Sequence, residues 1–163
     1  MKRVAIVGCC GTGKTTFSRL LAKKTNLPLI HLDRIYWHPG WVRTPADEWV
    51  KIQQREVEKD KWIIEGNYIN SLSIRFNRAD TIIFLDYPRW IAIYRSFKRR
   101  IQFHGKQRAE LGPGNVERLT WAYLRFVLTY PRERMLEIIS KYSDKHIVIL
   151  KNPQDAQRLL QRE

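Results

Sequence analysis

An α/β fold three layers deep is predicted for this chain, because five short apolar strands alternate with amphipathic helices along it. Strands spaced that way run parallel in one doubly wound sheet with helices on both faces. A glycine-punctuated loop after the first strand opens directly into a helix, which is where such sheets bind phosphates. The 163 residues suffice for one domain with its own core, and no repeat, linker or low-complexity stretch divides them.

The first strand is the continuous apolar run Val4, Ala5, Ile6 and Val7, as expected where both faces of a strand are covered. The loop GCCGTGKT, residues 8–15, completes the pattern G-x-x-x-x-G-K-[ST]. Gly8, Gly11 and Gly13 allow backbone N–H groups to converge on a polyphosphate, and the helix that follows adds its unpaired amides, including those of Thr12 and Thr16 around the turn. Lys14 reaches the β- and γ-phosphates and Thr15 offers a hydroxyl to magnesium, so ATP with Mg²⁺ is the expected ligand pair. In the helix, Phe17, Leu20 and Leu21 are spaced to turn one face inward. Cys9 and Cys10 are adjacent, which suits neither a structural disulfide nor a zinc site. They read as small fillers of the loop in a reducing compartment, with a lowered thiol pKa at the helix start as the minor alternative.

Composition bounds the partners. Thirty Lys and Arg against sixteen Asp and Glu give a net charge of +14, which suits an anionic ligand or a weak electrostatic attraction to nucleic acid. Ten of those cations lie between residues 95 and 134, against three glutamates. No apolar run approaches the length of a membrane span and the first strand begins at once, so a cytoplasmic protein without a membrane partner is expected.

Asn26 and Pro28 end the first helix, and Leu29, Ile30, His31 and Leu32 form a second strand. Asp33 stands just past its end, with three readings open: a place in the magnesium shell, acceptance of the proton from an acceptor hydroxyl, or a cap on the next turn. Residues 34–44 read as a loop anchored by Tyr36, Trp37 and Trp41, and Thr44, Pro45 and Asp47 mark the start of a helix to about residue 59. Together, residues 34–60 are the expected acceptor flap, in which Trp37 and Trp41 either stack on a ring or hold the flap down. A third strand, Lys61 to Glu65, ends on an acid that suits the second half of a magnesium site, where Glu65 is expected to orient a magnesium-bound water rather than bind the ion directly. The short helix over 69–78 carries Arg75 and Arg78, either for an acceptor phosphate or as surface residues.

The fourth strand, Thr81 to Asp86, stops at Tyr87-Pro88, with Asp86 in a supporting role. From Arg89 a helix runs to about residue 104, with Ile91, Tyr94, Phe97 and Ile101 at helical spacing. Arg95 and Arg99 share a face of it with Arg100 beside them, a set suited to clamp phosphate oxygens during transfer. Residues 105–115 hold three glycines and a proline and read as a short lid, about 100–118, to which Arg108 and Arg118 add charge. A helix from Asn115, broken near Pro131, leads to a fifth strand over His146–Leu150 and a last helix after Asn152.

These motifs resemble the adenylate-kinase-like small kinases of the P-loop superfamily: GCCGTGKT, HLD after the second strand, IIEGN after the third, FLDYP after the fourth and RSFKRR opening the lid. The resemblance spans nearly the whole chain and implies the P-loop NTPase fold with strand order 2-3-1-4-5. It also maps Arg95, Arg99 and Arg100 onto the family's lid arginines. HLDRIYWHPGW, WIIEGNY and RIQFHGKQRAELGPGN are similar to the bacterial DNA topology modulation proteins within that group. Where adenylate kinases carry an aspartate-glycine-phenylalanine-proline-arginine run, this chain has Glu65-Gly66-Asn67-Tyr68-Ile69, which leaves Arg34 or Arg75 to hold an acceptor anion.

The reading that results is an ATP- and magnesium-dependent phosphotransferase acting on a small hydroxyl acceptor, as monomer or homodimer. Its catalytic residues are Lys14, Asp33, Arg95 and Arg99, its nucleotide contacts residues 8 and 11–16 with Arg95, Arg99 and Arg100, and its metal ligands Thr15, Glu65 and Asp33. An ATP-binding regulator of DNA topology is the alternative, and an NTPase acting on macromolecular structure a third.

Overall fold

The computed structural model describes residues 1–103, 112, 114–116 and 120–163. In chain order the first half comprises β1 (Arg3–Gly8), α1 (Lys14–Thr25), β2 (Leu29–His31), α2 (Leu32–Tyr36), β3 (Trp37–His38), β4 (Val42–Arg43) and α3 (Ala46–Val57). The second half comprises β5 (Trp62–Glu65), α4 (Leu72–Arg78), β6 (Thr81–Leu85), α5 (Arg89–Gln102), α6 (Trp121–Leu128), α7 (Arg132–Ser140), β7 (His146–Leu150) and α8 (Pro153–Arg162).

β1 occupies the middle of a five-stranded parallel sheet ordered β2-β5-β1-β6-β7, which is 2-3-1-4-5 when those five strands are counted alone. Its apolar run is solvent-free because it is covered twice. Val4 and Ile6 face Phe17 and Leu21 of α1 and Ala156 of α8, whereas Ala5 and Val7 face Trp49 of α3, Phe76 of α4 and Met135 and Ile139 of α7. Alternation along a strand thus sorts one sequence run into two cores.

Several local expectations are corrected. Leu20 of α1 is exposed, because the buried arc is Lys14, Phe17, Ser18 and Leu21. Residues 34–44 are a short helix and an antiparallel hairpin, β3 with β4, turning through Gly40. The Thr44 hydroxyl does not cap α3; it binds the carbonyls of Ile35 and Tyr36 and so closes the base of that hairpin. On α5, Ile91 is buried, but Tyr94, Phe97 and Ile101 point outward while Ala92 and Ser96 face in. With Ile93, Trp121, Leu124 and Leu128, Phe97 lines an apolar groove of about 310 Å³ between α5 and α6. Asn115 is buried and starts no helix; α6 begins after Thr120, whose hydroxyl accepts from the Tyr123 amide. No helix among the described residues is long and apolar enough to cross a membrane.

Candidate active site

The loop between β1 and α1 is shaped by close approach. Gly11 has φ +83°, and a Cβ there would lie 2.4 Å from the Ala92 carbonyl and 2.5 Å from the Ser96 hydroxyl of α5. Gly13, at φ +94°, faces the Arg95 guanidinium, 2.9 Å from where its Cβ would stand. An L side chain fits neither the conformation nor the space. Thr12 is buried with its hydroxyl on the Cys9 carbonyl, and Lys14, the first residue of α1, folds its ammonium back onto the same oxygen at 3.0 Å. Thr15 and Thr16 follow in the first turn of α1, Thr16 exposed. Arg95 donates to the Thr12 carbonyl at 2.6 Å and lies over the Tyr87 ring. Four residues on, Arg99 donates to the Tyr123 hydroxyl and covers its ring. Arg100 is half-buried beside them, while Arg108 and Arg118 lie outside the described residues.

Glu65 sits at the carboxyl end of β5, buried, next to the end of β1. Its Oε1 accepts from Thr15 at 3.2 Å and pairs with His31 Nδ1 at 2.9 Å. Burial pushes the carboxyl pKa up, but the His31 hydrogen bond, Lys14 and Thr15 outweigh it and hold the group below the ordinary carboxylate value. An ionised carboxylate beside a threonine hydroxyl is a hard oxygen pair suited to magnesium, whose remaining ligands would come from phosphate and water. The arrangement brings Thr15 and Glu65 together, and Asp33 accepts a hydrogen bond from the Tyr68 hydroxyl at 2.6 Å.

Both cysteine thiols are pushed up, not down: Cys9 to about 12, chiefly by burial, and Cys10 also by burial. The helix start does not activate them. They remain free thiols that fill the loop.

The acceptor side is an aromatic cluster. Tyr36 meets Trp37, Trp49 and Tyr68 at centroid distances of 4.7–4.9 Å, and Trp41 packs on Trp37. Trp37 thus packs between Tyr36 and Trp41 within the flap itself. Asn115 fastens it from the far side: its Oδ1 accepts from the Trp41 amide at 2.8 Å, and its Nδ2 donates to the carbonyls of Trp37 and His38. Gly112 approaches so closely that its Cβ would stand 2.3 Å from the Trp37 carbonyl. Arg34 is exposed near Asp33 in sequence, but Arg75 is neither a surface residue nor available to an acceptor anion. Its guanidinium is fully buried and donates to the carbonyls of Gly66 and Asn67.

Sequence reading missed His31, Asn67, Tyr68, Asn115 and Tyr123. His31 and Asn67 flank predicted site acids by two residues, which was the available signal. Asn115 carried none, because its partners lie more than seventy residues away.

A family model described as isopentenyl transferase matches residues 1–44, the stretch from β1 through the hairpin. No curated protein matches the chain. Among solved structures it is similar to shikimate kinase from Acinetobacter baumannii in complex with shikimate, at TM-score 0.62 and 16% identity over 99% of this chain and 90% of that one. A gluconokinase from Sinorhizobium meliloti 1021 superposes at TM-score 0.58 and 15% identity, over 99% of this chain and 92% of that one. A sugar kinase from Janibacter gives 0.53 and 15%, over 99% and 91%. At these identities the likeness speaks for architecture, and the chain has the three-layer α/β fold with a five-stranded parallel sheet that it shares with these structures.

Proposed function

We propose that this protein is an ATP- and magnesium-dependent phosphotransferase acting on a hydroxyl of a small acceptor, built as a single domain with an acceptor flap over about 34–60 and a short lid over about 100–118. The observation that carries the reading is the meeting of Lys14 and Thr15 with ionised Glu65 at the carboxyl ends of adjacent strands, with Arg95 of α5 donating to the Thr12 carbonyl of the same loop. That the solved structures this chain is similar to are small-molecule kinases supports it.

Thr15 and Glu65 would hold magnesium, which when bound neutralises charge on the phosphate oxygens. The loop amides, Lys14, Arg95 and Arg99 bind the triphosphate and stabilise charge on the γ-phosphoryl group as it passes. Arg100 adds a cation to the same helix end. Asp33 orients the acceptor hydroxyl and takes its proton as the oxygen bonds to phosphorus and ADP leaves. The two free cysteines suit a reducing cytoplasm, where the chain works as monomer or homodimer.

The test is transfer of labelled γ-phosphate from ATP to a panel of nucleosides, nucleotides, sugars and vitamins. A labelled ester on one of them is expected; bound ATP with no labelled product from any would overturn the reading. The motif likeness to DNA topology modulation proteins, with the +14 charge, favours one second reading, an ATP-binding regulator that holds DNA. DNA affinity measured against salt separates the two. Binding that persists at physiological salt favours the regulator, and binding confined to dilute buffer favours the kinase.

A further inference from the structure

Arg75 is a cation whose guanidinium rests on carbonyls. It is fully buried in α4, its Nη1 donates to the Gly66 carbonyl at 2.7 Å and its Nη2 to the Asn67 carbonyl at 2.6 Å, while Nε has no partner among the described residues. Burial pulls its pKa down to about 10, which leaves it charged at neutral pH. Burying a guanidinium against main-chain oxygens alone is expensive, so what those oxygens belong to matters.

They belong to the turn after β5, which touches both halves of the site. The Asn67 side chain accepts from the Gly8 amide at 3.0 Å, at the entrance to the phosphate loop. One residue on, Tyr68 places its hydroxyl 2.6 Å from Asp33. Tyr68 does so from a left-handed backbone, φ +39°, where a bulky residue is strained. Its ring is wedged between Tyr36 and Trp49, with centroids at 4.7 and 4.8 Å. Gly66 is equally confined, since a Cβ would stand 2.9 Å from that of Leu32, the residue preceding Asp33. The turn thus has contacts above with the phosphate loop and the acceptor acid, and Arg75 holds its carbonyls from below.

We infer that Arg75 is a positioning residue: by fixing the carbonyls of Gly66 and Asn67 it holds one rigid turn that sets the phosphate loop, through Asn67 and Gly8, against the acceptor acid, through Tyr68 and Asp33. This rests on the phosphotransfer reading for its catalytic consequence, but not for the connection itself. Arg75 acts where no substrate reaches it. Lysine in its place keeps the charge but delivers it from one nitrogen, so it cannot span both carbonyls in the fixed fork of a guanidinium.

The experiment compares wild type, Arg75→Lys, Asn67→Ala, Tyr68→Phe and the Asn67→Ala/Tyr68→Phe double variant. It reads magnesium-ATP turnover, binding of a nonhydrolysable ATP analogue, and hydrogen exchange at the Gly8 amide. Arg75→Lys is expected to bind the analogue within about threefold of wild type, to lose tenfold or more in turnover, and to exchange Gly8 at least tenfold faster. Unchanged Gly8 exchange, or turnover and analogue binding falling by the same factor, would overturn the inference. Should Arg75→Lys not fold, the other variants decide: a double-variant loss well below the product of the single losses supports one connected turn, and a simple product contradicts it. If wild type turns over no ATP, the phosphotransfer reading fails, while Gly8 exchange still tests the connection.

Discussion

The phosphate loop is shaped by its own glycines and by bonds that close within a few residues, with Arg95 and Asn67 bracing it from outside, whereas the acceptor hairpin is held chiefly by side chains, those of Thr44, a cluster of rings and Asn115. Gly11 and Gly13 pack directly on α5, and Thr12 and Lys14 close on the loop's own Cys9 carbonyl. The hairpin depends on Thr44 at its base, on a cluster of rings and on Asn115 across a gap of more than seventy residues. The difference teaches where specificity resides. Backbone amides recognise any polyphosphate tail, while a side-chain scaffold can be altered without disturbing the sheet.

Substitutions that strike one half and spare the other sharpen that contrast, and the largest effect is expected at Lys14. Lys14→Ala should lower ATP turnover by roughly 10²–10³-fold, about 3–4 kcal/mol of transition-state stabilisation, with an unchanged melting temperature. A parallel loss of fold would place Lys14 in the structural core, where only its stem belongs.

Next comes Glu65→Gln, which should raise the magnesium concentration for half-maximal turnover by roughly 10–100-fold while the hairpin aromatics keep their fluorescence. The same carboxylate sets a pH dependence. Because its folded pKa is lowered, its contribution to stability is complete above the ordinary carboxylate range and is lost as pH falls through the lower folded value. Acid unfolding of Glu65→Gln should lack that component.

Asn115→Ala should act on the acceptor half alone. It removes the Asn115 bonds to the Trp41 amide and to the carbonyls of Trp37 and His38, leaving the turn to the Trp41–His38 backbone bond, at a cost of about 2 kcal/mol. The expected readout is a higher KM for the acceptor with ATP-analogue affinity unchanged; equal losses for both ligands would erase the distinction between the halves.

The same contrast explains what could be read in advance. The phosphate loop was legible because its motif is contiguous: the glycines, Lys14 and Thr15 all fall within residues 8–15, although Gly11 and Thr15 meet α5 and Glu65 far along the chain. The five sheet strands were legible for the same reason, being unbroken apolar runs. The hairpin was not, since nothing within residues 34–44 reveals that Asn115 completes it. Arg75 was misread because a helical arginine looks alike whether it meets water or carbonyls eight and nine residues back. The outward turn of Tyr94, Phe97 and Ile101 was hidden because helical spacing sets a face but not what covers it.

The smallest effect is expected outside both halves, at the pair between Glu137 and Lys141 at the end of α7. Their side chains are 71% and 67% exposed, so solvent screens the pair, and Lys141→Ala should cost less than about 0.5 kcal/mol in thermal unfolding without altering turnover.

The most direct measurement is a calorimetric titration of the folded protein with a nonhydrolysable ATP analogue and magnesium, repeated on Lys14→Ala. Saturable binding to the wild type that weakens at least tenfold in the variant is the predicted result. Wild-type protein with a cooperative melt and no heat of binding at millimolar analogue would contradict the account.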